Sequence, residues 1–335
     1  MATRDKACRT ANGFDINGFG QLKDGRGNIA PTTIILPTLA MEVKEKVDAG
    51  HHPYSPAAYK TEFLKYLDQK IHEAKDSLIE RFELICSQDS SSAKFMYENG
   101  TMEGYVPEEG IRSALKHGTL AIGQLGLAET LQILLGCDHT AEEGMEFAKE
   151  IEQLFKTRCA EFKEQYKLNF GVYYTPAENL CYTAMKKFKE KYGVIPNVSD
   201  RDFFTNSIHV PVWKEMTPFE KIDIESQLTG YSSAGCITYV ELDSTCAHNL
   251  EAIEKIVNYA MDKDIPYFAI NIPNDTCLDC GFTGEFNDVC PACGSKHIQH
   301  LRRVTGYLTG DYKTAFNKGK QAETEARVKH TGIPI

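Results

Sequence analysis

Four cysteines near the carboxyl terminus have the spacing of a metal site. They form two Cys-x-x-Cys-Gly turns, with nine residues between the second cysteine of one turn and the first of the next. Two residues between thiols let both sulfurs reach one ion, and two such turns supply the tetrahedron of thiolates that suits Zn²⁺. Because four protein ligands leave no open position, we predict a structural zinc ion. The predicted ligands are Cys277, Cys280, Cys290 and Cys293.

The same spacing has other interpretations. An iron–sulfur cluster and a redox-active dithiol use the same residue type, and some zinc ribbons bind nucleic acid. The acidic residues Asp279, Glu285 and Asp288 stand against Lys296 in this segment, which makes it a poor surface for phosphates. We therefore expect the zinc site to fix the position of the segment that follows it.

That following segment, Arg302 to Leu308, contains a glycine that could store a carbon radical. Gly306 has two Cα hydrogens and no side chain. Loss of one hydrogen leaves a planar centre, whose unpaired electron is delocalised between the adjacent carbonyl and nitrogen. An ordinary turn glycine is the alternative, and the motif alone does not decide between them.

A thiol near the amino terminus is the second candidate for radical chemistry. An S–H bond is weak enough to be homolysed by a glycyl radical, and the resulting thiyl can take a hydrogen atom from carbon. Cys8 precedes an arginine, and a lone cysteine in such a place is more often a small buried hydrophobic residue. Its context therefore has to decide.

The context of both residues resembles the anaerobic (class III) ribonucleoside-triphosphate reductases, which are glycyl radical enzymes. Around Gly306 the resemblance is carried by RRVTGYL and the tail YKTAFNKGKQAE, and around Cys8 by Cys8-Arg9, the GRGN of residues 25–28 and PTTIILPTLA. Further segments that match the family are GTLAIGQLGLAE, TPAE and FFTNSIHVP.

The resemblance implies a radical relay. A separate radical-SAM activase would remove a hydrogen atom from Gly306, and the Gly306 radical would oxidise Cys8 to a thiyl that starts the reduction of a ribonucleoside triphosphate. Asn28 looks like the substrate-contacting asparagine of the family. The TPAE segment follows a strand and opens a helix, which suits a phosphate, so Tyr174 and Glu178 are predicted to lie near the substrate. Plain helix capping is the alternative there.

The resemblance also implies the fold, which is α/β. We expect the C-terminal half of a glycyl-radical-type ten-stranded α/β barrel, with a small zinc ribbon and a C-terminal radical loop. Residues 1–272 would form the partial barrel, including a finger loop at 1–37; residues 273–297 would form the zinc ribbon, and residues 298–335 the radical loop and tail.

Complete members of the family are longer, and they carry a nucleotide-sensing region and the other barrel half ahead of the finger loop. We therefore expect this chain to need a partner, either an N-terminal reductase half or a second copy in a homodimer. Two alternative functions are another glycyl radical enzyme, of the acyltransferase or dehydratase kind, and a non-catalytic protein that donates a radical loop to a damaged partner.

The pattern of apolar residues places the elements that must position these side chains. A loop feeds a strand at 32–36 that Pro37 closes, and TPAE begins a helix with Thr175 as its cap and Pro176 at its first position. The remaining expectations are a long helix at 55–87, a strand or tight turn entering a buried helix at 118–136, a long helix at 140–167 capped by Thr140 or His139, a strand at 169–174, and a βαβ unit at 236–242, 249–261 and 267–272.

The totals set the broad class. The chain has 335 residues, of which 42% are hydrophobic and 25% charged, which is typical of a globular protein. Its net charge of -10 argues against direct nucleic-acid binding. The sequence has no apolar run long enough for a membrane and no signal peptide, so we expect a cytoplasmic protein. Eleven cysteines, an odd number, indicate metal binding and free thiols rather than disulfides.

Overall fold

The computed structural model describes residues 11–50, 55–302 and 311–330. The chain forms two compact units: the first comprises Met1–Thr175 with Leu228–Cys236, and the second comprises Pro176–Gln227 with Ile237–Ile335. The domain boundaries at 272/273 and 297/298 remain predictions.

The described residues form eight strands and eleven α-helices. The strands are β1 (Asn28–Ile35), β2 (Thr119–Leu125), β3 (Asn169–Tyr173), β4 (Thr238–Glu241), β5 (Phe268–Asn271), β6 (Asn274–Cys277), β7 (Thr283–Gly284) and β8 (Ile298–Leu301). The α-helices are α1 (Leu36–Ala49), α2 (Pro56–Cys86), α3 (Lys94–Glu98), α4 (Arg112–Leu115), α5 (Leu127–Leu135), α6 (Glu142–Tyr166), α7 (Leu180–Tyr192), α8 (Pro218–Thr229), α9 (Leu250–Asp262), α10 (Tyr312–Ala315) and α11 (Lys318–Ala326).

The first unit is built on a parallel sheet with the strand order β1–β2–β3. Asn28 pairs with Thr119, and Thr119 pairs with Asn169, at the amino ends of the strands. Every residue of β2 and β3 is buried, as parallel strands covered on both faces require. The long helices α2 and α6 supply part of this cover, since α2 packs against β1 and α6 against β3.

The second unit contains a parallel pair, β4 and β5, joined by α9. Ile256 and Ala260 of α9 pack on Val240 of β4 in one apolar cluster, which confirms the predicted βαβ unit. A separate antiparallel sheet of order β7–β6–β8 follows in the same unit. No described helix combines the length and the apolar character that crossing a membrane requires.

Several elements fall where the sequence places them, and others do not. Helices α2 and α6 and the strand–helix pair β2–α5 confirm the predictions, with ends that differ by only a few residues. Strand β1 begins at Asn28 rather than residue 32, because its first half pairs with β2. Pro37 does not close a strand but lies in the first turn of α1, where its missing N–H costs nothing.

Two helix starts were predicted wrongly. Neither Thr140 nor His139 caps α6, whose N-cap is Ala141 without a side-chain cap; Thr140 instead donates its backbone N–H to the Asp138 carboxylate at 2.9 Å. TPAE does not begin a helix, because Ala177 has a left-handed φ of 42°, which an α-helix does not accommodate. Helix α7 begins three residues later, at Leu180.

Candidate functional site

The four predicted zinc ligands lie together. Their sulfur atoms are all within 4.8 Å of one another, and two of the sulfur–sulfur distances are 3.6 and 3.7 Å. Zinc–sulfur bonds of 2.3 Å in a tetrahedron place the sulfurs about 3.8 Å apart, so the cluster fits a zinc ion. Gly281 and Gly294 close the two turns with φ of 76° and 73°, which explains why glycine follows each pair.

We expect removal of the metal to disorder the sheet of β6, β7 and β8. Structural zinc contributes about 10–16 kcal/mol of apparent binding free energy in small zinc-binding peptides. The apolar residues beside the turns replace little of this, since Leu278 and Val289 are 64% and 50% exposed. Chelation, or the substitution Cys290→Ser, should therefore abolish amide-exchange protection at residues 274–301 while β2 and β3 stay protected.

The matched control for that experiment is Cys246→Ser, because Cys246 is a half-buried thiol of the same unit that lies outside the cluster. It should keep one zinc ion per chain by elemental analysis. Full protection of residues 274–301 in metal-free protein would contradict a structural role.

The sheet of β6, β7 and β8 is bonded to the start of the predicted radical loop. Asp275, on β6, has a fully buried carboxylate that accepts hydrogen bonds from His300 Nδ1 at 3.0 Å and from the Phe286 N–H at 3.0 Å. Two guanidinium nitrogens of Arg302 also donate hydrogen bonds to the Asp275 carboxylate, Nη2 at 2.9 Å and Nη1 at a shorter distance. Gly306 lies outside the described residues, but the chain is held at Arg302, four residues before it.

The finger loop is held from residue 11 onward. The Asp15 carboxylate accepts hydrogen bonds from His117 Nδ1 at 2.7 Å and Asn169 Nδ2 at 2.6 Å. Burial would raise the pKa of Asp15, but these bonds outweigh it and lower the pKa to about 2. Arg26 donates to three carbonyls, those of His117, Gly13 and Leu22, at 2.7, 3.0 and 2.6 Å.

Cys8 lies outside the described residues, just before this anchored stretch. Ala11 donates its N–H to the Ala234 carbonyl at 2.8 Å. Sequence reasoning did not assign an anchoring role to Asp15 or Arg26, which stand in a Gly- and Asn-rich stretch.

Asn28 occupies the amino end of β1, beside Thr119. Its Oδ1 atom is buried and has no hydrogen-bond partner among the described residues. A buried carbonyl oxygen without a partner is unfavourable, and a ligand donor would satisfy it. The substrate contact at Asn28 stays a prediction.

Tyr174 and Glu178 stand in different surroundings. Tyr174 is 1% exposed, and its hydroxyl donates to the Leu228 carbonyl at 2.7 Å. Burial, with the nearby Glu152 carboxyl, raises the Tyr174 pKa well above its ordinary value. Glu178 is half-buried and precedes α7. The hydroxyl of Tyr174 is thus already engaged within the protein.

The strand register separates two of the predicted contacts. Asn28 is level with Asn169, through Thr119, whereas Tyr174 lies five residues beyond Asn169 along the chain. At about 3.3 Å per residue the two positions are about 16 Å apart along the strand direction. Only an extended ligand could contact both.

Thr175 has another role than the predicted cap. Its hydroxyl shares a hydrogen bond of 2.9 Å with the hydroxyl of Thr33 on β1. Gly123 on β2 makes room for it, because a Cβ there would lie 2.1 Å from Thr175 Oγ1. Glycine at position 123 therefore allows the Thr175 side chain to lie against β2.

A family model described as anaerobic ribonucleoside-triphosphate reductase matches residues 1–330. The chain belongs to this reductase family. The reductase of Salmonella typhimurium is 32% identical over 339 aligned positions, and the match covers 97% of this chain and 46% of that protein. The reductase of Enterobacteria phage T4 is 31% identical, with 92% of this chain and 50% of that protein covered. The chain spans about half the length of the curated relatives it matches.

Solved structures of anaerobic ribonucleotide reductases share the fold. One superposes with a TM-score of 0.73 at 22% identity, covering 92% of this chain and 46% of that chain. The Thermotoga maritima enzyme in complex with dATP and CTP gives 0.67 at 21% identity, covering 95% and 48%. Family membership confirms the resemblance carried by the motifs. It decides against an acyltransferase or dehydratase among the glycyl radical enzymes.

Proposed function

We propose that this chain is the radical-bearing C-terminal part of an enzyme that reduces ribonucleoside triphosphates to 2′-deoxyribonucleoside triphosphates without oxygen. The observation that carries the proposal is the family match over residues 1–330, which includes both Cys8 and Gly306. The Thermotoga maritima relative in complex with CTP supports a nucleotide as substrate.

In the proposed relay a radical-SAM activase removes a hydrogen atom from Gly306, and the Gly306 radical takes the hydrogen atom of the Cys8 thiol. The Cys8 thiyl then takes the 3′ hydrogen of the ribose, and the 2′ hydroxyl leaves as water. An external donor, formate or a thiol protein, supplies the two electrons of the reduction. The return of a hydrogen atom to the ribose restores the Cys8 thiyl and then the Gly306 radical.

The protein's contribution to this chemistry is placement. The chain is pinned at Ala11, three residues after Cys8, and at Arg302, four residues before Gly306. A radical relay needs two atoms held close together and shielded from water and oxygen. Anchors near both residues are what such a relay requires, and Asn28, Tyr174 and Glu178 remain the proposed substrate contacts.

The remaining parts of the proposal concern the architecture and the partners. The described residues contain two parallel sheets, β1–β2–β3 in the first unit and β4–β5 in the second. We propose that these strands belong to a ten-stranded barrel, which an N-terminal reductase half, or a second copy of the chain, completes. The four-cysteine cluster would hold a structural Zn²⁺ and form a zinc ribbon, and the protein would act in the cytoplasm.

Reconstitution tests the proposed function. The chain, activated anaerobically by a radical-SAM activase and combined with a protein that supplies the N-terminal half, should convert CTP to dCTP. The isolated chain should form no more than a trace. Product at full rate from the isolated chain would contradict the need for a partner, and no product from the complete assembly would contradict the function itself.

A further inference from the structure

A buried lysine follows the radical loop. Lys320, in the first turn of α11, is 1% exposed. Its ammonium group forms a close ion pair with the Glu323 carboxylate. Burial by itself lowers the pKa of Lys320, but the charge of Glu323 outweighs it and the pKa is raised. The lysine is therefore charged inside the protein.

A second partner of this ammonium group is an amide that reaches another segment. With Asn206 oriented so that both ends of its amide are satisfied, Oδ1 accepts from Lys320 Nζ at 2.8 Å and Nδ2 donates to the Pro176 carbonyl at 2.7 Å. The acceptors of the Lys320 ammonium group are thus Glu323 and Asn206. Asn206 connects the lysine directly to the backbone of Pro176.

The first turn of α11 touches the same segment at two more places. Asn317 caps α11, accepting from the Lys320 N–H at 3.0 Å, and its Nδ2 donates to Asn179 Oδ1. Gly319 lies against α7, since a Cβ there would be 2.6 Å from the Cβ of Tyr182. The tail therefore contacts the stretch from Pro176 to Tyr182 at both ends.

Two turns near these contacts have an unfavourable left-handed backbone conformation. Ala177 has a φ of 42° and Ser207, next to Asn206, has a φ of 37°. Left-handed backbone at residues other than glycine persists only where the surroundings impose it. Asn206 joins these two turns, and Lys320 holds Asn206.

The far end of the tail is fixed to β4. Arg327 pairs with Glu241 at 2.9 Å and with Glu323 at 3.3 Å. His330 donates its N–H to the Glu241 carbonyl at 2.8 Å, and its Nδ1 accepts from the Glu241 N–H at 2.8 Å. The contacts form one continuous series in which positive and negative charges alternate: Lys320, Glu323, Arg327 and Glu241.

We propose that Lys320 is a positioning residue that couples docking of the tail to the conformation of the Pro176–Asn179 turn, so that the two form together. The segment that follows the radical loop would hold the turn next to Tyr174 and Glu178. The link to substrate rests on the proposed function, in which those two residues lie near the bound nucleotide. By reciprocity, a ligand that stabilises the turn must also stabilise the tail.

The test is Lys320→Met compared with Lys318→Met, which removes an exposed charge from the same helical turn. Amide exchange of peptides covering 174–184 and 311–330 is measured in the full chain. In the Lys320→Met variant both peptides should exchange at least tenfold faster, whereas β2 and β3 keep their protection. The Lys318→Met variant should match the wild type.

Faster exchange of the tail with an unchanged turn would overturn the proposal, as would no change in either. If β2 and β3 lose their exchange protection in Lys320→Met, the variant Asn206→Ala is measured instead. This change removes the hydrogen bond to Pro176 and leaves the Lys320–Glu323 ion pair. The same criteria then apply.

A second measurement separates positioning from mere stability, and uses the assembled enzyme with CTP. CTP should slow exchange of the tail in the wild type, and this effect should be lost in Lys320→Met. Its persistence in the variant would overturn the coupling. The wild-type assembly could also form no dCTP while CTP still slows exchange of the tail. That result would contradict the proposed function but not the coupling between the tail and the turn.

Discussion

Replacing Gly306 with alanine is expected to abolish the carbon-centred radical and all turnover. A side chain at this position removes one of the two Cα hydrogens, and it crowds the planar centre that would remain. Spin resonance of the activated chain should show a doublet in the wild type and no signal in Gly306→Ala. In the proposed relay each turnover begins with this radical, so deoxynucleotide formation by the assembled enzyme should fall below detection.

The matched control is Gly310→Ala, which alters a second glycine of the same loop. It should retain the doublet, since no hydrogen atom is taken from that residue. A doublet of undiminished intensity in Gly306→Ala would show that the radical resides elsewhere. Loss of the signal in both variants would point to loop geometry rather than to a radical centre at Gly306.

Replacing Cys8 with alanine should separate the two halves of the relay. Gly306 would still be activated, so the doublet should remain at wild-type intensity. No thiyl could form, and dCTP production by the assembled enzyme should fall by at least the four orders of magnitude that correspond to about 5.5 kcal/mol of lost transition-state stabilisation.

The comparison variant for Cys8 is Cys246→Ala, which removes a half-buried thiol outside the metal cluster and should leave both the doublet and the turnover unchanged. Substantial dCTP from Cys8→Ala would assign the thiyl to another cysteine. Exchange protection at Asp15 and Arg26 should be the same in wild type and variant, which would show that the finger-loop anchors are intact.

The sequence was sufficient wherever a local pattern decided the structure. Apolar residues at helical spacing located α2, and the paired Cys-x-x-Cys-Gly turns located the metal cluster, because both depend on neighbours within a few residues. The βαβ unit of β4, α9 and β5 was found for the same reason.

Long-range contacts decided the rest. TPAE has the residues of a helix start, but the Thr175 hydroxyl bonds to Thr33, 142 residues away, and Ala177 is held in a left-handed conformation. The early start of β1 likewise depends on β2, which no local pattern reveals. Lys320, Glu323 and Arg327 look like a solvated helix face in the sequence. Their i, i+3 and i+4 spacing was the available sign that they pair with one another.

The buried charges of α11 also bear on what oxygen would do to this protein. Oxygen cleaves a polypeptide at a glycyl radical, and a break at position 306 would divide the chain into two molecules. The smaller one would carry Lys320 and Arg327, whose counter-charges include Glu241 in the larger one. Pulling the fragment out would leave the Glu241 carboxylate, which is mostly buried, without its Arg327 partner, and breaking a buried ion pair in this way is costly. The damaged protein would therefore keep its severed end in place and retain its shape after its activity had gone.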